Sequence, residues 1–221
     1  MPAGLGAILR WSDAWRAPPG VPVDELGYRV GMPALQSTDL LDALKTVAAA
    51  LREAKLPFAL AGGLAAWAHG GPPTEHDIDL MIRESDADAA LAVLRDAGLR
   101  IEHPPEGWLV KAWLDDMLID LIYGPRGMTI DDAFFERCDE MSVAAIDMRV
   151  IPLDDLLVGK LLALTEHHLD FGAPLEWARA IREQVDWALV AERTAGSPFA
   201  RTFLTMLEEL EIITPTTAVT P

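Results

Sequence analysis

"AGGLAAWAHGGPPTEHDIDLMI", residues 61–82, sets a Gly-Gly pair shortly before an Asp-Ile-Asp run. In a strand, residues i and i+2 point to the same face, so Asp77 and Asp79 present their carboxylates side by side. Two ionised carboxylates held that close repel each other and raise a pKa unless a cation lies between them. The preceding "PFALAG" (57–62) reads as a short buried strand running into the glycines. "GLAAWAHGG" reads as a short helix ended by Gly70-Gly71-Pro72-Pro73. The stretch is therefore strand, glycine turn, helix and a second strand that opens on paired acids.

Working outward, "STDLLDALKTVAAALREAK" (37–55) carries apolar residues at 40, 41, 44, 47, 48 and 51, the stripe of an amphipathic helix capped by Ser37 or Thr38. "SDADAALAVLRDAG" (85–98) predicts a helix with a capping-box pattern at Ser85 and Asp88 and a stop at Gly98. "WLVKAWL" and "MLIDLIYG" flank Asp115-Asp116 and predict a β-hairpin. The order α-β-α-β-α-β-β describes a mixed α/β (α+β) domain with a small sheet flanked by helices. After "MRVIPLDD" the pattern turns helical, over about 153–168, 174–189 and 197–210, the last with Ser197 as N-cap and Pro198 at its first position. The expected organisation is an irregular lead-in over 1–36 containing Trp11 and Trp15, a core over 37–150, a helical C-terminal lobe over 151–213, and a tail over 214–221.

A chain of 221 residues can bury one sizeable core, with or without a small helical annex. The formal charge of −17 disfavours nonspecific binding to phosphate backbones, while cations held at clustered carboxylates would offset part of it. The single cysteine, Cys138, forms no internal disulfide, which fits a reducing, cytoplasmic setting. The N-terminus shows no signal-peptide pattern. The most apolar run, "LLVGKLLAL", is interrupted by Lys160, so no membrane span is expected.

A divalent, oxygen-preferring ion such as Mg²⁺ is the usual answer to paired carboxylates, with open positions left for phosphate oxygens. Asp120 interrupts the apolar run on the second strand of the hairpin. If that strand neighbours the Asp-Ile-Asp strand, three carboxylates meet, as a two-metal site for phosphoryl chemistry requires. Gly62 and Gly63 lack Cβ atoms, so they permit a tight turn and let phosphates approach backbone N–H groups at a helix start. Each signal alone is weak; their ordered combination is much more specific.

Gly62-Gly63, Asp77-Ile78-Asp79 and Asp120 resemble the signature of the DNA polymerase β-like nucleotidyltransferase superfamily, over about residues 37–125. The resemblance implies that the glycines contact a triphosphate and that Asp77 and Asp79 bind two Mg²⁺ ions. Asp120 would bind the catalytic metal and help activate the attacking hydroxyl. "VIPLDDLLVGKLLAL" resembles the helix following the core in bacterial abortive-infection (AbiEii-type) nucleotidyltransferase toxins, which nominates Lys160 for the active site and Asp170 as a further acidic match. Two features depart from these patterns. Leu64 follows the glycines where many members have Ser, as in small drug-modifying nucleotidyltransferases, and "TEHHLDFGAP" matches the toxins' downstream pattern poorly.

Several other residues have plainer readings. Lys160 lies either on a solvated helix face or in the site. His167-His168 fit a helix end, capping carbonyls, with catalysis or metal binding as the alternative. His76, adjacent to Asp77, is at most a supporting residue. Lys111 reads as an exposed edge lysine that deters aggregation, with contact to a triphosphate as the alternative. Arg83 reads as a strand terminator, and Asp115-Asp116 as turn residues. Glu176, Arg179, Arg182 and Glu183 have the spacing of solvated helix-face ion pairs. Trp108, Trp113, Trp177 and Trp187 read as core, with base stacking open to one of them.

The expected reaction is nucleotidyl transfer from a nucleoside triphosphate to an acceptor hydroxyl. The leading expectation, from the toxin resemblance, is a toxin–antitoxin-type enzyme with tRNA as acceptor and a cognate antitoxin protein as partner, although the charge of −17 argues against a long RNA contact. The Gly-Gly-Leu-Ala pattern and acidic surface instead favour adenylylation of a small hydroxylated molecule such as an aminoglycoside. A third reading is an antitoxin-like nucleotide-binding module without turnover; the retained acidic residues argue against it.

Overall fold

The computed structural model describes residues 38–74, 77–105 and 107–215. Trp11, Trp15, Ser37, His76 and the last six residues of the expected tail lie outside the described residues. The first half runs α1 (Thr38–Glu53), β1 (Ala59–Ala61), α2 (Gly62–Ala68), β2 (Asp77–Met81), a 3₁₀ turn (Glu84–Asp86), α3 (Ala87–Asp96), β3 (Arg100–Glu102), β4 (Leu109–Leu114) and β5 (Met117–Ile122). It continues through α4 (Asp132–Arg137), β6 (Asp139–Val143), β7 (Ile146–Val150), α5 (Leu153–Leu162), α6 (Gly172–Ile181), a second 3₁₀ turn (Arg182–Gln184), α7 (Trp187–Thr194) and α8 (Pro198–Glu209).

The seven strands form one mixed sheet in the order β3-β4-β5-β2-β1-β7-β6. β2 runs parallel to β5 and β1 parallel to β7; the other neighbouring pairs are antiparallel. Period-2 alternation sorts the two faces. Ile78, Leu80, Ile119 and Leu121 are fully buried on the side opposite the carboxylates. α1 packs against β2 and β5, with its stripe of Leu40, Leu44, Val47, Ala48 and Leu51 fully buried. At about 25 cal/mol per Å² of apolar area removed from water, this two-layer burial is the main source of stability. No helix among the described residues is long and apolar enough to cross a membrane.

The mixed α/β architecture with a helical C-terminal part is as expected, but the sheet is larger than the sequence pattern suggests. β3 is three residues long with exposed Arg100 and Glu102, so it carries no hydrophobic alternation. β6 and β7 form a hairpin through Ala144 and Ala145, both at positive φ (52° and 65°). Tight hairpins of this kind usually advertise themselves with Asn or Gly. Here the strand pairing imposes the turn on alanines. α4 is a six-residue helix capped by Asp131, whose Oδ1 accepts from the Phe134 N–H at 2.9 Å.

The expected capping box at Ser85 does not form. A 3₁₀ turn occupies Glu84–Asp86, α3 starts at Ala87, and Ser85 Oγ meets only Asp86 Oδ1 at 3.5 Å. In the C-terminal part, the first helix ends at Leu162 rather than at 168. The expected 174–189 helix is broken into α6, a 3₁₀ turn and α7. Asp186 is the break: its carboxylate accepts from the Leu189 N–H to cap α7, while its own N–H donates to Asp154 at 2.8 Å. A side chain that caps the next helix competes with continuing the previous one. α8 begins as expected, with Ser197 Oγ accepting from the Ala200 N–H and Pro198 next.

Candidate active site

Strand register builds the site. Lys111 of β4 stands opposite Asp120 of β5, Asp120 opposite Asp79 of β2, and Asp79 opposite Ala61 at the end of β1. Asp77 lies two residues before Asp79 on the same face. The sheet thus gathers Asp77, Asp79 and Asp120, with one oxygen from each lying within 4.8 Å of the others. All three are half-buried.

That proximity has an electrostatic consequence. Burial, then the charges of Asp77 and Asp120, push the Asp79 carboxyl up from 3.8 to about 7, against the opposing pull of Lys160 and Lys111. Asp120 is also raised, chiefly by burial, against its hydrogen bond from Lys111. Two carboxyls of the cluster are thus held above the ordinary carboxylate range, so the cluster is short of positive charge. An all-oxygen donor set short of positive charge fits a hard divalent ion such as Mg²⁺.

Gly62 is shaped to the same cluster. It adopts φ +59°, and a Cβ added there would stand 1.8 Å from Asp79 Oδ2. A Cβ on Gly63 would stand 2.7 Å from Thr74 Oγ1. Both glycines are needed for the close approach of neighbouring side chains to the β1–α2 turn. Leu64, next in sequence, is fully buried in the core.

A cleft of about 940 Å³ opens beside the cluster. Gly62, Gly63, Thr74, Asp77 and Asp79 form one end of its wall. Met81 and Ile122 continue along the sheet to Trp108, Gly124 and Arg126. Lys160 of α5, Glu176 and Trp177 of α6, and Asp170 in the loop before α6 complete the wall. Neither Asp120 nor Lys111 belongs to that wall.

The structure brings Lys160 to the cleft, its ammonium 5.9 Å from the centre of the Trp177 ring. Asp170 also lines the cleft, and its Oδ1 accepts from the Gly172 N–H at 2.8 Å where α6 begins. Lys111 is not on an edge strand, because β3 covers β4; its ammonium donates to both oxygens of Asp120, at 3.0 and 3.3 Å. His167 and His168 stand exposed in a turn after α5 rather than at a helix end. The backbone of His168 pairs with Thr165 there, and the His167 ring meets Glu166 at 3.3 Å. Arg83 is engaged by Asp86 and Asp132. Asp115-Asp116 make the hairpin turn, Asp115 at φ 51°.

Three readings of large side chains change. Trp108 is 40% exposed and lines the cleft instead of the core. Trp113 and Trp187 are only half-buried, and their indole N–H groups donate to Glu102 and to the Arg182 carbonyl. Glu176 lies on the cleft wall, and Arg182 pairs with its neighbour Glu183 in the second 3₁₀ turn instead of across a helix turn, because the helix has ended there. Sequence reasoning missed Thr74, Arg126 and Asp155. Asp155 is 2% exposed and is bound by Arg137 of α4 and Arg193 of α7, partners distant in sequence that no local pattern could announce. Arg126 follows Gly124-Pro125, a loop whose position over the cleft is set by Gly124 packing on Trp108.

The chain belongs to a nucleotidyltransferase family, described as uncharacterised nucleotidyltransferases, whose model matches residues 4–219. It is therefore a transferase, in keeping with the polymerase β-like resemblance. No curated protein matches the chain in sequence. Among solved structures it is similar to the antibiotic-resistance factor ANT(2″)-Ia in complex with adenylyl-2″-tobramycin, at 19% identity and a TM-score of 0.50, over 76% of this chain and 99% of that one. It is also similar to an antigenic nucleotidyltransferase-like protein from Paracoccidioides brasiliensis (16% identity, TM-score 0.49, 79% of this chain and 89% of that one). The lincosamide antibiotic adenylyltransferase LnuA, lincomycin-bound, is 13% identical with a TM-score of 0.46 over 65% of this chain and 94% of that one. Identities this low speak to the fold.

Proposed function

We propose that the cleft performs Mg²⁺-dependent transfer of a nucleoside monophosphate from a nucleoside triphosphate to a hydroxyl of a small cationic acceptor. The observation that carries the chemistry is the gathering of Asp77, Asp79 and Asp120 beside a cleft whose wall includes Gly62 and Gly63. The three aspartates would hold the metal. Bound there, Mg²⁺ supplies charge neutralisation for the triphosphate and for the attacking and leaving oxygens.

The chain's own groups supply the rest. Lys160 and Arg126 both line the cleft, and they bind the anionic triphosphate. Gly62 and Gly63 let the phosphates come close to the backbone. The acceptor oxygen attacks the α-phosphorus, the bond from that phosphorus to the pyrophosphate oxygen breaks, and the acceptor proton passes through water to Asp120, which lies behind the cleft wall. Lys160 stabilises the negative charge that moves onto the leaving pyrophosphate. The exposed indole of Trp108 offers a stacking surface for a base or an acceptor ring.

The acceptor preference rests on charge. Asp170 and Glu176 add carboxylates to the cleft wall, and the whole chain carries −17, so a cationic polyol is drawn in and a polyanion such as tRNA is repelled. The test offers α-labelled nucleoside triphosphates and Mg²⁺ with an aminoglycoside panel and, separately, total tRNA. Label on an aminoglycoside is the expected result. Label on tRNA alone would overturn the acceptor assignment and restore the toxin-like reading, and no transfer to either would overturn the reading of the site.

A further inference from the structure

The row of side chains crossing the sheet through the site alternates in an unusual way. Glu102 of β3 stands opposite Lys111, Lys111 opposite Asp120, and Asp120 opposite Asp79. Glu102 is occupied elsewhere: its Oε2 accepts from the Trp113 indole at 3.0 Å and lies 3.7 Å from the Arg100 guanidinium. Lys111 is thereby committed to Asp120, and it reaches both carboxylate oxygens. The two side chains are 26% and 13% exposed, so water screens the pair only partly. Asp77 and Asp79 line the cleft, but Asp120 does not, although one of its oxygens lies within 4.8 Å of theirs.

We propose that Lys111 is a resident cation of the acidic site, holding Asp120 in direct competition with a divalent ion. The inference rests on the metal-site reading above and adds a positioning residue to it. A carboxylate has about four lone-pair directions. With an ammonium across both of its oxygens, Asp120 offers an incoming ion fewer lone pairs and a nearby positive charge. Asp77 and Asp79, which meet no ammonium directly among the described residues, take up an ion first, and Asp120 joins only as Lys111 gives way. Lys111 therefore weakens cation binding at the full three-carboxylate site, the opposite of what a merely structural ion pair would do. A structural pair, once broken, would leave the site looser and cation affinity lower.

Lys160 provides the comparison. It also lies near the cluster, but its ammonium rests over the Trp177 ring instead of on a carboxylate. The experiment titrates the full chain with Mn²⁺ in the absence of nucleotide, followed by electron paramagnetic resonance. Lys111→Met is expected to tighten Mn²⁺ binding at least fivefold. Lys111→Gln, which keeps a hydrogen-bond donor beside Asp120 and guards against misfolding, is expected to shift it the same way. Lys111→Arg should leave it at or below the starting affinity, and Lys160→Met should tighten it less than Lys111→Met does. Unchanged or weaker binding in both neutral variants would overturn the proposal, as would an equal gain from Lys160→Met. A failure of the unaltered chain to bind Mn²⁺ would instead overturn the metal site itself.

Discussion

The carboxylate of Asp79 occupies the space above Gly62, where a Cβ would stand 1.8 Å from Oδ2. The double glycine thus has a job before any nucleotide arrives: Gly62 makes room for the acid and Gly63 for Thr74. The positive φ at Gly62 (+59°) adds a second reason to exclude an L side chain. Gly62→Ala is expected to abolish transfer and to destabilise the fold by about 1–3 kcal/mol, from strain plus displacement of Asp79. Thermal melting beside a transfer assay checks it; a variant with full activity would show that Asp79 need not sit where it does.

Asp79 also sets a pH dependence. Its carboxyl lies at about 7 in the fold against 3.8 for an ordinary aspartate, so between those values the folded chain binds the extra proton. Stability without divalent ions therefore falls as pH rises from about 4 to 7, with a slope of at most about 1.4 kcal/mol per pH unit from this group. Asp120, raised in the same direction, adds to the trend. Asp79→Asn should flatten the fall. Melting temperatures across this range in EDTA measure it, and a stability that climbs from pH 4 to 7 equally in both forms would contradict the assignment.

Mg²⁺ should reverse that trend. An ion that prefers ionised carboxylates raises the melting temperature more at pH 8 than at pH 5, because at the lower pH it must first displace protons. Asp77→Asn and Asp79→Asn are each expected to remove most of the shift. A shift of equal size in both variants would place the ion elsewhere.

The two cations on the cleft wall should separate kinetically. Arg126→Ala is expected to raise KM for the nucleoside triphosphate about tenfold, on the order of 1.4 kcal/mol, with little change in KM for the acceptor. Lys160→Ala should lower kcat as well, since it acts on charge that moves during the reaction. Steady-state kinetics with each substrate varied in turn distinguishes them; an Arg126→Ala effect confined to the acceptor would assign that loop to the other substrate.

Asp155 lines the cleft yet holds Arg137 and Arg193. Removing this buried carboxylate leaves two partly solvated guanidinium groups without their partner, so Asp155→Ala is expected to cost about 1–3 kcal/mol of stability and to lower the melting temperature by roughly 5 °C. The fall should be as large in EDTA as in Mg²⁺. A variant that melts normally but loses activity would mark Asp155 as part of the chemistry.

Much of this protein was legible in its linear order, because the signals were local. Asp-Ile-Asp had to share a strand face, Gly-Gly had to mark a turn, Asp115-Asp116 had to close a hairpin, and Ser197-Pro198 had to start a helix; each follows from a backbone period or a fixed φ. Where the partner was remote, the sequence was silent. The Ala144-Ala145 hairpin exists because β6 and β7 pair, and α6 and α7 separate because Asp186 finds Asp154. Lys111 looked like an edge lysine until β3 covered its strand and placed it on Asp120. Asp155 looked like one more acid on a helix until two arginines closed on it. Local conformation is set by neighbours in the chain, whereas charge pairing and desolvation depend on neighbours in space, and only the folded sheet decides who those are.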